Sequence, residues 1–392
     1  MLIVGGKIFT MEDAIYDPGY VKIKNGKIQS VGPEGEVPAP EGEEQILKVD
    51  GAWVLPGLIE AHSHIGISEE TRGAIADDCN ELSNPVQPYL RAIDAINPMD
   101  PAFHDAIMAG ITSVMTGPGS ANVVGGQFVF MKTQGRCMDR MIVLHPAAMK
   151  VAFGENPKTS YEDQSKCPLT RMGTAALLRE ELFRAKQYQI QKENGKLLEE
   201  DFRLEPWLPV LRREIPVKAH AHRADDILTA IRIAKEFQVD LTIDHGTEAH
   251  LIAKEIKASG FPVIVGTDLT SRSKLEVQNM DFKTNRILHE AGVTIAVTTD
   301  HPVALIQYLP LCAGLAVKYG LPMEEGLKAL TIYPARICRV EERVGSLKPG
   351  KDADLAIFTG NPMEVFTNTL YTIIDGEVVY EQSNMGCQGI TK

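Results

Sequence analysis

Two histidines, His62 and His64, close the apolar run at residues 54–61 in VLPGLIEAHSHIG. On a β-strand alternate side chains share a face, so both would project from the C-terminal end of one strand. Neutral imidazoles at that spacing can hold a divalent cation between them. The plain alternative is a pair of neighbouring surface histidines, since two ligands do not make a site. The other strand-like runs bear on the choice. His220 ends VKAH, His245 ends LTIDH and Asp300 ends VTIAVTTD. Any one of these could merely cap the next helix. Three histidine-bearing strand ends and a carboxylate together have the composition of a catalytic zinc site with open positions.

These residues need elements to position them. The middle of the chain alternates strand-like and helix-like blocks. Strands are predicted at 54–61, 111–116, 128–131, 147–153, 217–220, 240–243, 262–265 and 294–298. Helices are predicted at 174–192, 225–237 and 248–259, and another opens at the Asp100-Pro101 pair. In the 225–237 block Ile227, Leu228, Ile231 and Ala234 share one helical face. Repeated βα units imply parallel strands with right-handed crossovers. A (β/α)8 barrel and an open doubly wound sheet both fit, but no GxGxxG follows the first strand, which counts against a dinucleotide fold. In a barrel the C-terminal strand ends converge on one mouth.

Both chain ends read differently, as short strands broken by Gly5-Gly6, Asp17-Pro18-Gly19, Asn25-Gly26 and Asp375-Gly376. Asn-Gly between VKIK and KIQSV is a hairpin signal, because both positions tolerate positive φ. The expected α/β architecture is a (β/α)8 TIM-like barrel plus a small β-sandwich domain built from both chain ends. Residues 1–52 and 346–392 would form the β-domain and 53–345 the catalytic domain.

With 392 residues the chain exceeds what one core usually supports. A net charge of -12 argues against nucleic acid or an anionic membrane as partner. The six cysteines are scattered, without CxxC pairs, as suits a reducing compartment. The opening MLIVGGKIFTMED has no basic segment and no long apolar run, so neither a signal peptide nor a membrane span is expected, and the cytoplasm is the expected location. A small-molecule substrate and a homo-oligomer are expected.

PGLIEAHSH, KAHAH, IDHGTE, TTDHP and the tail GSLKPGKDADLAIFTGNP, in that order along nearly the whole chain, resemble the amidohydrolase superfamily. The resemblance is to its branch of imidazolonepropionases and prolidase-like metal-dependent carboxypeptidases. It implies that His62, His64 and Asp300 bind one metal, with His220 and His245 on a second. A carboxylated lysine would bridge the two ions, and Lys150 in AAMKVAFGENPK is the candidate. Lys150 paired as an ordinary ammonium with Glu155 is the alternative, and would leave a mononuclear site. The cofactor implied is Zn2+, one or two per chain, other divalent metals being possible. Lys218, His220 and His222 share strand parity; His222 is expected to face substrate, whereas His301 has the opposite parity to Asp300 and should point away. Asn122 and Gln127, flanking the glycine-rich 117–126, offer amides to a substrate. Arg272 offers a cation for a substrate carboxylate, although turn roles fit all three equally.

The implied reaction is hydrolysis of an amide C–N bond, linear or cyclic, by metal-activated water. Asp300 would take the water's proton and pass it to the leaving nitrogen, with His245 also catalytic. A metal-dependent deaminase is the alternative, with Glu248 as an added acid. A binding protein that keeps the fold but holds no metal is a third possibility. There is no GxSxG elbow and no cysteine in a nucleophile setting.

Overall fold

The computed structural model describes residues 1–12, 14–70, 73–162 and 168–382. Cys167, Cys387 and the last residues of the carboxy-terminal β segment, 383–392, lie outside them, as does part of the 154–172 loop. The chain opens with five strands, β1 (Leu2–Phe9), β2 (Ile15–Lys24), β3 (Lys27–Pro33), β4 (Ile46–Lys48) and β5 (Trp53–Pro56). Eight barrel strands follow: β6 (Leu58–Ser63), β7 (Ile111–Thr116), β8 (Val124–Lys132), β9 (Ile142–Ala152), β10 (Val217–Ala221), β11 (Leu241–His245), β12 (Val263–Val265) and β13 (Ile295–Val297). Three more strands close the described chain: β14 (Leu355–Phe358), β15 (Thr369–Ile374) and β16 (Glu377–Glu381).

The opening and closing strands share one sheet, in the order β16-β15-β14-β5-β1-β2-β3, with β4 on β1. Its seam is the antiparallel pairing of β14 with β5, where Leu355 faces Pro56 and Phe358 faces Trp53. The sheet therefore includes strand residues beyond residue 52. Asn25 and Gly26 turn β2 into β3 with φ of 53° and 72°, both left-handed as a two-residue I′ hairpin requires. Asp375 and Gly376 repeat the device between β15 and β16.

The second sheet runs β6 through β13 in chain order. The Thr298 hydroxyl, just past β13, donates to the His62 carbonyl on β6 across 2.7 Å, so the two end strands meet and the sheet nearly closes into a TIM-like barrel. One strand departs from the expected pattern: β8 runs antiparallel to both β7 and β9. The cause is the length of the β7–β8 connection. Residues 117–123 are too few for a crossover, which needs about a dozen or more. A glycine begins this turn of necessity, because a Cβ on Gly117 would lie 2.2 Å from the Phe128 ring.

Helices cover the outside. Arg171–Glu193 starts at Thr170, whose hydroxyl accepts from the Gly173 N–H, and buries Leu178, Leu182 and Ala185. Ala224–Phe237 buries Ile227, Ile231 and Ala234 as the periodicity predicts. Asp100 caps Pro101–Met108 by accepting from the Ala102 N–H. The block at 248–259 splits into a 3-10 turn, Ala249–Ile252, and a short helix, Ala253–Ser259. Among the described residues no helix is long and apolar enough to cross a membrane.

Barrel and outer sheet are joined by buried charge. Lys132, at the end of β8, reaches Asp354, Asp352 (3.1 Å) and Asp375 (3.3 Å). Lys132 and the first two aspartates are almost fully buried. Removing one member of such a group strands the others in a low dielectric. Lys132→Met is expected to cost about 3–5 kcal/mol, read as a lower midpoint in chemical denaturation. A midpoint within error of wild type would contradict the role given to Lys132.

Candidate metal centre

The C-terminal ends of the barrel strands gather the histidines, and one ring nitrogen of each of three is already hydrogen-bonded. The His64 Nδ1–H donates to the Gly117 carbonyl (2.7 Å) and the His245 Nδ1–H to the Gly266 carbonyl (2.9 Å). His222 Nδ1 contacts Thr247 Oγ1 at 2.8 Å, and His62 Nδ1 stands 3.2 Å from Asp244 Oδ2. A ligating histidine is normally oriented in this way, through its other nitrogen. His62 Nε2 and His64 Nε2 lie 3.3 and 3.5 Å from Asp300 Oδ1.

Two three-residue groups result, His62/His64/Asp300 and His220/His222/His245, each with its ligand-type atoms within 4.8 Å of one another. They abut: His245 Nδ1 is 3.8 Å from Asp300 Oδ2, and the His62 and His245 ring centroids are 5.0 Å apart. Seven buried atoms at this mouth, His62 Nδ1 and Nε2, His245 Nε2, Lys150 Nζ, Asp244 Oδ2, Glu276 Oε1 and Asp300 Oδ1, have no hydrogen-bond partner among the described residues. Buried polar atoms are nearly always paired, and unpaired ones cost about 1–3 kcal/mol each. Nitrogen and carboxylate donors left open in one place fit a bound cation.

The electrostatics of the second group agree with that fit, whereas His64 in the first is raised to about 10, its burial outweighed by Cys79 and Asp300. Burial holds His220 and His245 well below the ordinary imidazole range, and burial with the neighbouring His245 takes His222 down to about 3. All three are therefore neutral near pH 7, which is the ligand form. Burial also lowers Lys150. Burial would raise Asp244, but Lys218 and His62 outweigh it and keep the carboxylate ionised. Glu60 is pushed up to about 7 by burial, against the N–H groups of Thr299 and His62 that it accepts. The bond from Thr299 ties β6 to the segment carrying Asp300.

The structure brings His62, His64, Lys150, His220, His245 and Asp300 to one mouth, and adds His222 to the second group. Lys150 is fully buried on β9 and faces Asp244 at 3.7 Å. Glu155, the partner considered from sequence, instead starts the helix Glu155–Ser160 and gives its N–H to Glu276 Oε2. His301 points away as its parity predicts: its Nδ1 accepts from the Ile306 N–H.

Three residues expected to meet substrate are engaged elsewhere. Asn122 donates to the Glu81 and Asn84 carbonyls and to the Tyr161 hydroxyl, clamping the 66–98 loop. Gln127 donates to the Pro88 carbonyl, and exposed Arg272 to the Met280 carbonyl. In each case the nearest loop backbone supplies an acceptor first. Glu248 is likewise occupied, by the Ala224 N–H and the Asn279 amide.

Asp244 and Glu276 were not singled out from the sequence, and Lys218 was noted only for sharing strand parity with His220. Asp244 precedes His245, and strict alternation would send one of the two outward. The strand evades it because His245 has φ 74°, a left-handed turn that swings its ring to the mouth while Asp244 stays inside. Asp300 has φ 52° for the same purpose.

The fold and this site define a barrel hydrolase class, and the comparisons name it. Residues 212–379 match the model of the Amidohydrolase family. The solved structure of an amidohydrolase from Thermotoga maritima is 42% identical, covers 97% of this chain and 100% of its own, and superposes with a TM-score of 0.93. Amidohydrolase tasK of Hapsidospora irregularis is 28% identical over 93% of this chain, which spans 40% of that protein's length. Imidazolonepropionase of Maricaulis maris is 25% identical over 86% of each chain. The chain belongs to the amidohydrolase family.

Asp244→Asn should weaken metal affinity about 10–100-fold, as loss of a group orienting a ligand does, measured by chelator competition. Unchanged affinity would mean that Asp244 does not orient His62.

Proposed function

We propose that this chain is a metal-dependent hydrolase of amide C–N bonds in a small molecule, linear or cyclic. The observation that carries the reading is the set of unpartnered buried ligand atoms at one barrel mouth, His62 Nε2, His245 Nε2 and Asp300 Oδ1 among them. His62, His64 and Asp300 would hold one cation, and His220 and His245 a second. Zinc suits these nitrogen and oxygen donors, as do other divalent metals. When bound, such cations acidify water and polarise a carbonyl.

Asp300 then does the proton work. Its Oδ1 has no hydrogen-bond donor, and burial would raise it, but His245 and His62 hold it ionised. It accepts the proton of the attacking water as the O–C bond forms, then returns it to the nitrogen as the C–N bond breaks. His245, fixed through Nδ1, presents Nε2 to the same space.

Lys150 would act as a carbamate between the cations. Lys218 lies beside it in register and is satisfied by the Ala61 carbonyl (3.0 Å) and Asp244 Oδ1 (2.9 Å). Lys150 has no hydrogen-bond partner, with Asp244 Oδ2 at 3.7 Å, and burial lowers it; in its neutral form the amine can add to CO2, forming an N–C bond and releasing one proton. The resulting anion is stable beside cations, not alone.

Elemental analysis followed by a screen of N-acyl amino acids, dipeptides and cyclic amides tests the function. Asp300→Asn should lose about 10²–10⁴-fold in turnover or more, with an unchanged circular dichroism spectrum. Full turnover by metal-free protein would defeat the mechanism, and ammonia release from an amidine would reassign the chain as a deaminase. For the carbamate, wild type equilibrated with ¹³C-bicarbonate should show a carbamate ¹³C resonance that Lys150→Arg lacks. A spectrum without that resonance in fully metallated wild type would remove Lys150 from the bridge.

A further inference from the structure

Glu276 is the buried acid at the mouth that the proposed mechanism does not use. It sits on the 3-10 turn Leu275–Val277, after β12, and is 1% exposed. One oxygen is fixed: Oε2 accepts the Glu155 N–H at 2.8 Å. Gly154 makes room for that oxygen, since a Cβ there would lie 2.6 Å from Oε2 and its φ of +86° is left-handed.

The other oxygen is aimed and unpaired. Oε1 lies 3.8 Å from His220 Nε2 and 3.8 Å from His222 Nε2, too far to accept a hydrogen bond from either. That spacing approximates two ligand atoms sharing one ion at bond lengths of about 2.0–2.2 Å. His222 already uses Nδ1 on Thr247. Lys274 Nζ, also 3.8 Å from Oε1, is a poor neutraliser. It is 41% exposed and donates to Asn156 Oδ1 at 2.5 Å, and exposed pairs contribute about 0–1 kcal/mol. The Asn156 amide is turned to Ser120 Oγ (2.7 Å), with His220 Nε2 at 3.5 Å.

We propose that Glu276 and His222, with His220 and His245, complete the shell of the second cation, giving it three imidazoles and a carboxylate drawn from three separate segments of the mouth's rim. This rests on the metal-dependent reading above. It moves His222 from facing substrate to holding metal, and it makes Glu276 a ligand after the seventh barrel strand. A carboxylate here also suits the charge: beside the carbamate proposed for Lys150, it adds a negative charge that the three neutral imidazoles do not supply.

The test is metal stoichiometry, independent of turnover. Apo protein, wild type and Glu276→Gln, is titrated with Zn2+ by calorimetry, and bound metal is counted by elemental analysis after dialysis. Glutamine keeps the acceptor for the Glu155 N–H, and circular dichroism checks the fold. Wild type should bind two ions. Glu276→Gln should keep the ion on His62, His64 and Asp300 and bind the second more than about 100-fold more weakly, since loss even of an orienting partner costs about 10–100-fold. Two ions held equally well by both proteins would overturn this assignment and leave the hydrolase reading intact. A single ion in wild type, retained by the variant, would do the same. No ion in wild type would overturn both. If the variant misfolds, anomalous diffraction from Zn-loaded wild type decides: a peak about 2.0–2.2 Å from Glu276 Oε1 supports the proposal, and its absence there refutes it.

Discussion

The floor of the barrel mouth depends on one aspartate held between two lysines and a histidine. Asp244 takes Lys218 at 2.9 Å on one oxygen and His62 at 3.2 Å on the other, with Lys150 at 3.7 Å. All of these groups are fully or almost fully buried. In such a place a lone charge costs several kcal/mol, so the members persist only as a set. The set links β6, β9, β10 and β11, because each contributes one residue. Its consequence for chemistry is orientation. With Nδ1 of His62 drawn to Asp244, Nε2 can only face Asp300 and the open side. Phe128 seals the group from β8, its ring stacked 5.7 Å from His62 and 5.7 Å from each lysine Nζ.

Phe128 is in place because β8 runs backwards. A parallel third strand would enter from the barrel base and present a long βα loop to the mouth. The reversed strand instead enters at the mouth through the tight 117–123 turn, and that turn supplies the Gly117 carbonyl that orients His64. The reversal also carries β8 to the base, where Lys132 pairs opposite Ser113 on β7 and meets the aspartates of the outer sheet. One strand thus connects the histidine pair to the seam between barrel and sheet. The small sheet holds the chain ends against the base, leaving the mouth free for loops.

The strand-end histidines and Asp300 were legible in the sequence because an apolar run that ends in a ligand-type residue has few other uses repeated so often. The hairpin turns were legible because Asn-Gly and Asp-Gly state a backbone conformation outright. The direction of β8 was not, since a strand reads the same in either sense and only the short connection betrays it. Asp244 was hidden by the alternation rule, which the left-handed His245 breaks. For Asn122, Gln127 and Arg272 the sequence left substrate and turn roles open for a different reason. Amide and guanidinium groups beside long loops find backbone carbonyls more readily than substrate, and no sequence pattern records which loop folds over them.

Glu276 was illegible for the strongest version of that reason. It lies on a single turn of 3-10 helix with no periodicity, and its meaning comes from Gly154 and Glu155, more than a hundred residues earlier. Yet the mouth is built asymmetrically around it. On the β6 side, His64 Nδ1 is held by the Gly117 carbonyl, His62 Nδ1 stands by Asp244, and Asp300 supplies the charge. On the β10 side three imidazoles converge, and the nearly buried Glu276 carboxylate points at two of them. Two cations of like charge in neighbouring sites repel, and anionic ligands offset that repulsion. Asp300 serves one side of the mouth. β10 and β11 have committed their only acid, Asp244, to the lysines below, so a carboxylate on the other side comes from a loop, as Glu276 does.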